Sequence, residues 1–325
     1  MSADKAKDGH QSGRGSRQRR TQTDLWQPHP VLTPLTGSQA KRLVRLSEDA
    51  VAKRGFTMRY DGAGALGSVD SDGDPVRDGV SAGLMNLART VAELPRQQWR
   101  SAVAAHFDQM LSLDGPPPVP ADLENELYLR LVCAATIDPE MSKGVPEFAP
   151  GVLTVPATYV GRGVAMHFDL ESLGVPWDEA ARMGLANLRS LRDEVDTVRF
   201  DGAEITSLTG SMFTASRALV FDTVLRESLQ VENPPFGCLV AMPARDMLFV
   251  HVLRDRTMVK ALQFLITTAV RMFGTRPGSV SPHVYYVADQ EWHQVTDYST
   301  GEFRLRAIGQ LEDAAQHLGV IEAAA

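Results

Sequence analysis

Cysteine is nearly missing from this chain of 325 residues: Cys133 and Cys238 are too few and too far apart for a disulfide framework or a four-ligand zinc cluster. A reducing, cytoplasmic setting is the expectation. Long apolar runs are missing as well. The most apolar helical stretch, Met258 to Phe273, is interrupted by Lys260, Gln263, Thr267, Thr268 and Arg271, so nothing approaches the roughly 18 residues that span a bilayer and no membrane partner is expected. Positive charge is not in excess: charged residues make up 22% of the chain and the net charge is −7, which argues against a body that grips phosphate backbones. The catalytic signatures are absent too. There is no G-x-S-x-G elbow, no Walker loop and no H-E-x-x-H, and no two of the eight histidines are spaced to hold zinc on a helix face. No catalytic residue, metal ligand or cofactor is assigned.

Residues 1–30 carry almost no apolar anchor before Leu25-Trp26, so they cannot repay the entropy of ordering and read as a disordered tail. Over residues 1–24, six cationic side chains stand against Asp4, Asp8 and Asp24, a net +3 that leaves −10 for the rest. Such a tail is solvated or touches RNA weakly. Arg19-Arg20 is not a twin-arginine export signal, because no apolar run follows it.

From residue 31 to 113 the pattern predicts a first α+β lobe. Ser38 is placed as the N-cap of a helix with Ala40, Leu43, Val44, Leu46, Ala50 and Val51 at helical spacing, and Gly55 as its stop. A strand over 56–60 and a small meander follow, then helices over 84–94 and 95–113. Asp114-Gly115-Pro116-Pro117-Pro118-Val119-Pro120 can continue neither helix nor central strand, and the lobe boundary is drawn there, over 114–120. The second lobe, 121–298, reads as a helix over 122–134, strands over 152–160 and 164–168, and a helix over 177–191. Strands over 195–200 and 203–208 come next, then a helix over 215–229. Hairpins over 236–253 and 283–296 enclose a long helix from Thr257. The fold class is therefore α+β, two lobes, each a small antiparallel sheet packed against helices on one face. Residues 299–325 are an extension.

Two patterns imitate ligand sites. Gly62-Ala63-Gly64-Ala65-Leu66-Gly67 fits G-x-G-x-x-G, but a strand and an acidic turn follow where a phosphate-binding helix must begin, so these are hairpin glycines. Asp70, Asp72 and Asp74 alternate as calcium ligands do, yet the glycine comes at 73 and Ser81 stands where the closing glutamate belongs. A solvated turn is the reading.

Asn187-Leu188 on an apolar helix, the helix start Ala215-Ser216-Arg217-Ala218-Leu219, and the strand pair around Val240 to Asp246 together resemble the family called domain of unknown function 1444, the YtpQ-like bacterial proteins. The likeness runs from about Leu43 to Tyr298 and is looser before the proline run, where it rests on Leu84 to Leu87. Gly210 to Thr214 departs from that family in lacking an Asp-Gly pair. The resemblance implies a cytosolic α+β protein and brings no catalytic residues. Asn86-Leu87 and Asn187-Leu188 sit in similar helical contexts and hint at a duplication. The leading functional expectation is a non-catalytic protein-binding or adaptor module, pairing through sheet edges with a protein partner or as a homodimer. The alternative is an enzyme or sensor for a small anionic metabolite, bound by Asn187, Ser216 and Arg217, since a helix start offers free amides and an arginine fork grips phosphate or carboxylate.

Overall fold

The computed structural model describes residues 27–76, 81–111, 119–161, 163–298, 302–306 and 308–322. Its first helix, α1 (Gly37–Ala52), is capped by Thr36: the Thr36 hydroxyl accepts from the Gln39 amide and the Gln39 side chain accepts from the Thr36 amide. Ser38 was expected as the cap. Both residues are of capping type, but only Thr36 has a glutamine three positions later to complete the reciprocal pair. The meander β1 (Met58–Tyr60), β2 (Ala65–Ser68) and β3 (Ser81–Gly83) follows, then α2 (Met85–Ala92) and α3 (Trp99–Leu111). Leu43, Val51, Leu66, Leu87, Trp99 and Phe107 close one apolar cluster within these residues. The glycine-rich turn is the hairpin between β1 and β2, where the Asp61 carboxylate accepts from the amides of Ala63, Gly64 and Ala65. The acidic turn is held likewise by Asp70, which accepts from Asp72 and Asp74. Most of the proline run, like residues 1–26, lies outside the described residues.

The expected helix over 122–134 is a correction. Only one turn, α4 (Leu123–Glu126), is helical; Leu127–Cys133 is a strand, β4, buried along nearly its whole length. A strand covered on both faces is apolar throughout, so its two-residue period is hidden and a short run of this kind cannot be told from a helix. β4 pairs along β6 (Val152–Val160), which carries the short β5 (Glu147–Ala149) and β7 (Gly163–Met166) on its other side. Next comes α5 (Trp177–Ser190), laid across β4.

The centre of the molecule is an antiparallel six-stranded sheet. β8 (Glu194–Phe200), β9 (Ala203–Thr209), β10 (Cys238–Ala241), β11 (Met247–Val252), β12 (Val284–Ala288) and β13 (Glu291–Gln294) run in the order β13-β12-β10-β11-β9-β8. Leu239, Ala241, Phe249 and Tyr286 point to one face, against α7 (Met258–Thr275). Their neighbours Cys238, Val240, Val250 and Tyr285 point to the other, against Leu131 of β4, Val152 of β6 and the helical segment after β9. This sheet is thus covered on both faces, where the sequence suggested one. Small strands β14 (Thr296–Asp297) and β15 (Arg304–Leu305) precede α8 (Gly309–His317), whose Ala314 and Ala315 enter the core on the α7 side. The segment after 298 therefore contributes to the core.

The segment 215–229, expected as one helix, is three: a 3-10 stretch Ala215–Val220, the α turn α6 (Phe221–Thr223) and a π stretch Val224–Leu229. Val220, Phe221 and Val224 are all buried against β4 and the central sheet. Packing on two surfaces at once sets the winding here, and propensity alone does not reveal it.

Candidate functional site

The three residues singled out by sequence do not meet at a surface. Asn187 donates to the carbonyls of Glu124 (2.9 Å) and Leu127 (2.7 Å), tying α5 to the turn that starts β4. Ser216 is buried, and its hydroxyl accepts from the Leu131 amide at 2.9 Å. Arg217, 1% exposed, donates Nη1 to the equally buried Asp193 at 2.5 Å, and Asp193 also accepts from Thr214 at 2.8 Å. The amides expected to be free at this helix start are engaged as well, Ala215 with the Arg245 carbonyl and Arg217 with that of Thr214. All three side chains serve the fold. Asn86 does a different job from Asn187: its amide oxygen accepts from Gly278.

Two open clefts lie elsewhere on the central sheet. One of about 560 Å³ sits between Phe221, Leu225, Pro234 and Gln290, and one of about 350 Å³ lies beside His251, Arg254 and Asp255. The His251 Nδ1 meets the Glu204 carbonyl at 2.7 Å, and burial holds this imidazole below its usual pKa. Among the described residues no group of three or more His, Cys, Asp or Glu side chains could hold a metal ion, and no helix is long and apolar enough to cross a membrane.

What the sequence missed is Arg130. It lies in β4, 8% exposed, on the strand face that also carries Tyr128 and Val132. Its Nε is enclosed without a hydrogen-bond partner, and no carboxylate pairs with this arginine among the described residues. Burial first, and then the field of Arg245, pull its pKa down to about 10, while Tyr159 opposes them. A buried cation without a counter-charge is expensive, because the field lost on leaving water has not been replaced.

Hydrogen bonds link the strand of Arg130 to the loop of Arg245. Leu131, next to Arg130, donates to Ser216; Ala215, next to Ser216, donates to the Arg245 carbonyl; and the Arg245 amide donates to the Gly278 carbonyl. A Cβ at Gly278 would strike the Arg245 side chain, so the glycine is what lets that side chain lie across the loop. The seam continues to α2: Arg89 donates to Ser279 and to the Arg276 carbonyl. Arg276 itself is claimed by Glu93 at 2.6 Å and Asp246 at 2.8 Å.

No family model matches this chain, and no curated protein or solved structure matches it.

Beside Arg130 stands an aromatic ledge. Tyr128 stacks on Phe213 with centroids 4.6 Å apart, and Tyr159 meets both edge-on at 5.8 and 5.2 Å. Tyr159 keeps 43% of its surface exposed, so the ledge opens to solvent. The arrangement offers guanidinium donors of fixed charge, a phenol and an aromatic face. It can bind and orient an anion, and arginine, protonated at any working pH, does not shuttle protons.

Proposed function

We propose that this protein is a non-catalytic binding protein for a small ligand bearing a phosphate or carboxylate group, held by Arg130 and Arg245. One observation carries the reading: an arginine only 8% exposed, in the field of Arg245, with no carboxylate paired to it among the described residues. The reading takes non-catalytic binding from the leading expectation and the small anion from the alternative, at residues other than Asn187, Ser216 and Arg217. The outer edge strand β8, the natural place for strand addition, exposes Glu194, Asp196 and Arg199, charges that discourage pairing. Kinship with the YtpQ-like family, cytoplasmic placement and a two-lobe division remain proposals. They rest on the Asn187 and Ala215–Leu219 motifs, the two free thiols and the separate apolar cluster of the first helices and meander.

The test is thermal unfolding of the full chain with phosphate, sulfate and acetate at constant ionic strength. An anion at a hundred times its dissociation constant stabilises the fold by about 2.7 kcal/mol. Arg130→Met removes the unpaired charge and keeps an apolar stem. In anion-free buffer this variant should match or exceed the parent in stability, by up to about 3 kcal/mol, and should no longer respond to anions. An unchanged anion response in Arg130→Met would place the binding elsewhere.

A further inference from the structure

The seam from β4 to α2 carries a charge imbalance that narrows the ligand. Arg89, Arg245 and Arg276 lie along one hydrogen-bonded path that ends at Leu131, the neighbour of Arg130, and among the described residues the carboxylates paired to these four arginines are Glu93 and Asp246, both bound to Arg276. Arg89 spends Nη1 on Ser279 and on a carbonyl while its Nε is enclosed and unpartnered, as in Arg130. Among the described residues, four guanidinium groups against two paired carboxylates leave a surplus of two positive charges.

We infer that the ligand is a dianionic phosphoryl group, carried as a phosphate monoester whose organic part lies over Tyr159. This rests on the anion-binding reading above and deepens it. A carboxylate or a phosphodiester brings one negative charge and leaves half the surplus standing. A phosphate monoester brings close to two at neutral pH, with three acceptor oxygens for guanidinium forks. The exposed ring of Tyr159, braced by Tyr128 and Phe213, gives an organic substituent a flat apolar surface next to the charge.

Calorimetric titration of the full chain at pH 8 and fixed ionic strength separates the possibilities, with methyl phosphate, dimethyl phosphate, phenyl phosphate, inorganic phosphate and acetate as probes. Methyl phosphate should bind at least tenfold more tightly than dimethyl phosphate or acetate, and phenyl phosphate should bind more tightly than inorganic phosphate. Equal binding of methyl and dimethyl phosphate overturns the dianion while leaving an anion site in place. Inorganic phosphate equal to or tighter than phenyl phosphate overturns the ester and makes the free ion the ligand. Heat from none of the probes overturns both this inference and the anion reading beneath it. Arg130→Lys keeps the charge and loses the fork, so it should weaken methyl phosphate about tenfold. Arg226→Ala, in the 560 Å³ cleft, should leave it unchanged. If Arg130→Lys fails to fold by circular dichroism, Arg245→Met carries the same expectation of loss.

Discussion

Arg217 and Arg130 show two fates of a buried guanidinium. Arg217 faces Asp193, and both side chains are 1% exposed or less, so neither charge has water to fall back on. Removing one partner of such a pair leaves the other stranded, which commonly costs about 3–5 kcal/mol. Arg217→Ala should therefore lower the unfolding free energy from urea titration by that amount, and a loss under about 1 kcal/mol would show that the pair is dispensable. Arg130 has no such partner among the described residues, and its replacement by an apolar side chain carries the opposite sign. The contrast separates a residue that holds the fold from one the fold tolerates. Sequence gave a faint signal for the second: a single arginine in the apolar run Leu127 to Cys133. Read as a helix, the run puts that arginine on an outer face and the signal vanishes.

Elements meet most tightly where α5 crosses β4. At Gly184 a Cβ would stand 2.8 Å from both the amide nitrogen and Cγ of Leu129, and the backbone there cannot retreat without breaking the ladder to β6. Glycine to alanine in an open helix gains up to about 1 kcal/mol, whereas overpacking costs about 1–3 kcal/mol. The clash should win: Gly184→Ala is expected to destabilise in equilibrium unfolding, and a stabilised variant would mean that the helix can lift off the strand. Most elements were legible because one face is wet. The helix α5 and the hairpin β8–β9 show their periods plainly, and their bounds lie within a residue or two of those expected. β4 and the 215–229 segment were misread for the same physical cause, since both are packed from two sides and their periods are masked.

At the scale of the whole molecule, the fold encloses several of the eight histidines, while His317 stays exposed. His106, His167, His251 and His283 all have pKa values held below 6.5 by burial. Their neutral forms are the ones folded in. Below about pH 6.5 the unfolded chain takes up protons that the folded chain refuses, so stability is complete above that value and falls as pH drops through the window beneath it. Thermal unfolding between pH 7.5 and 5 should show a steady decline, reduced in His167→Gln, where an amide can still meet the Thr158 hydroxyl that His167 Nε2 meets at 2.8 Å. A flat profile over that range would contradict the burial of these rings. The sequence by itself determined the α+β class, the hairpin nature of the glycine-rich turn and the order of most elements. Those features follow from local periodicity and turn chemistry, which a chain carries wherever it goes. Only the tertiary structure decided that Asn187, Ser216 and Arg217 are fastenings and that Arg130 is buried in the field of Arg245. Those two arginines are 115 positions apart in the chain, and burial and counter-charge exist only once distant strands have met.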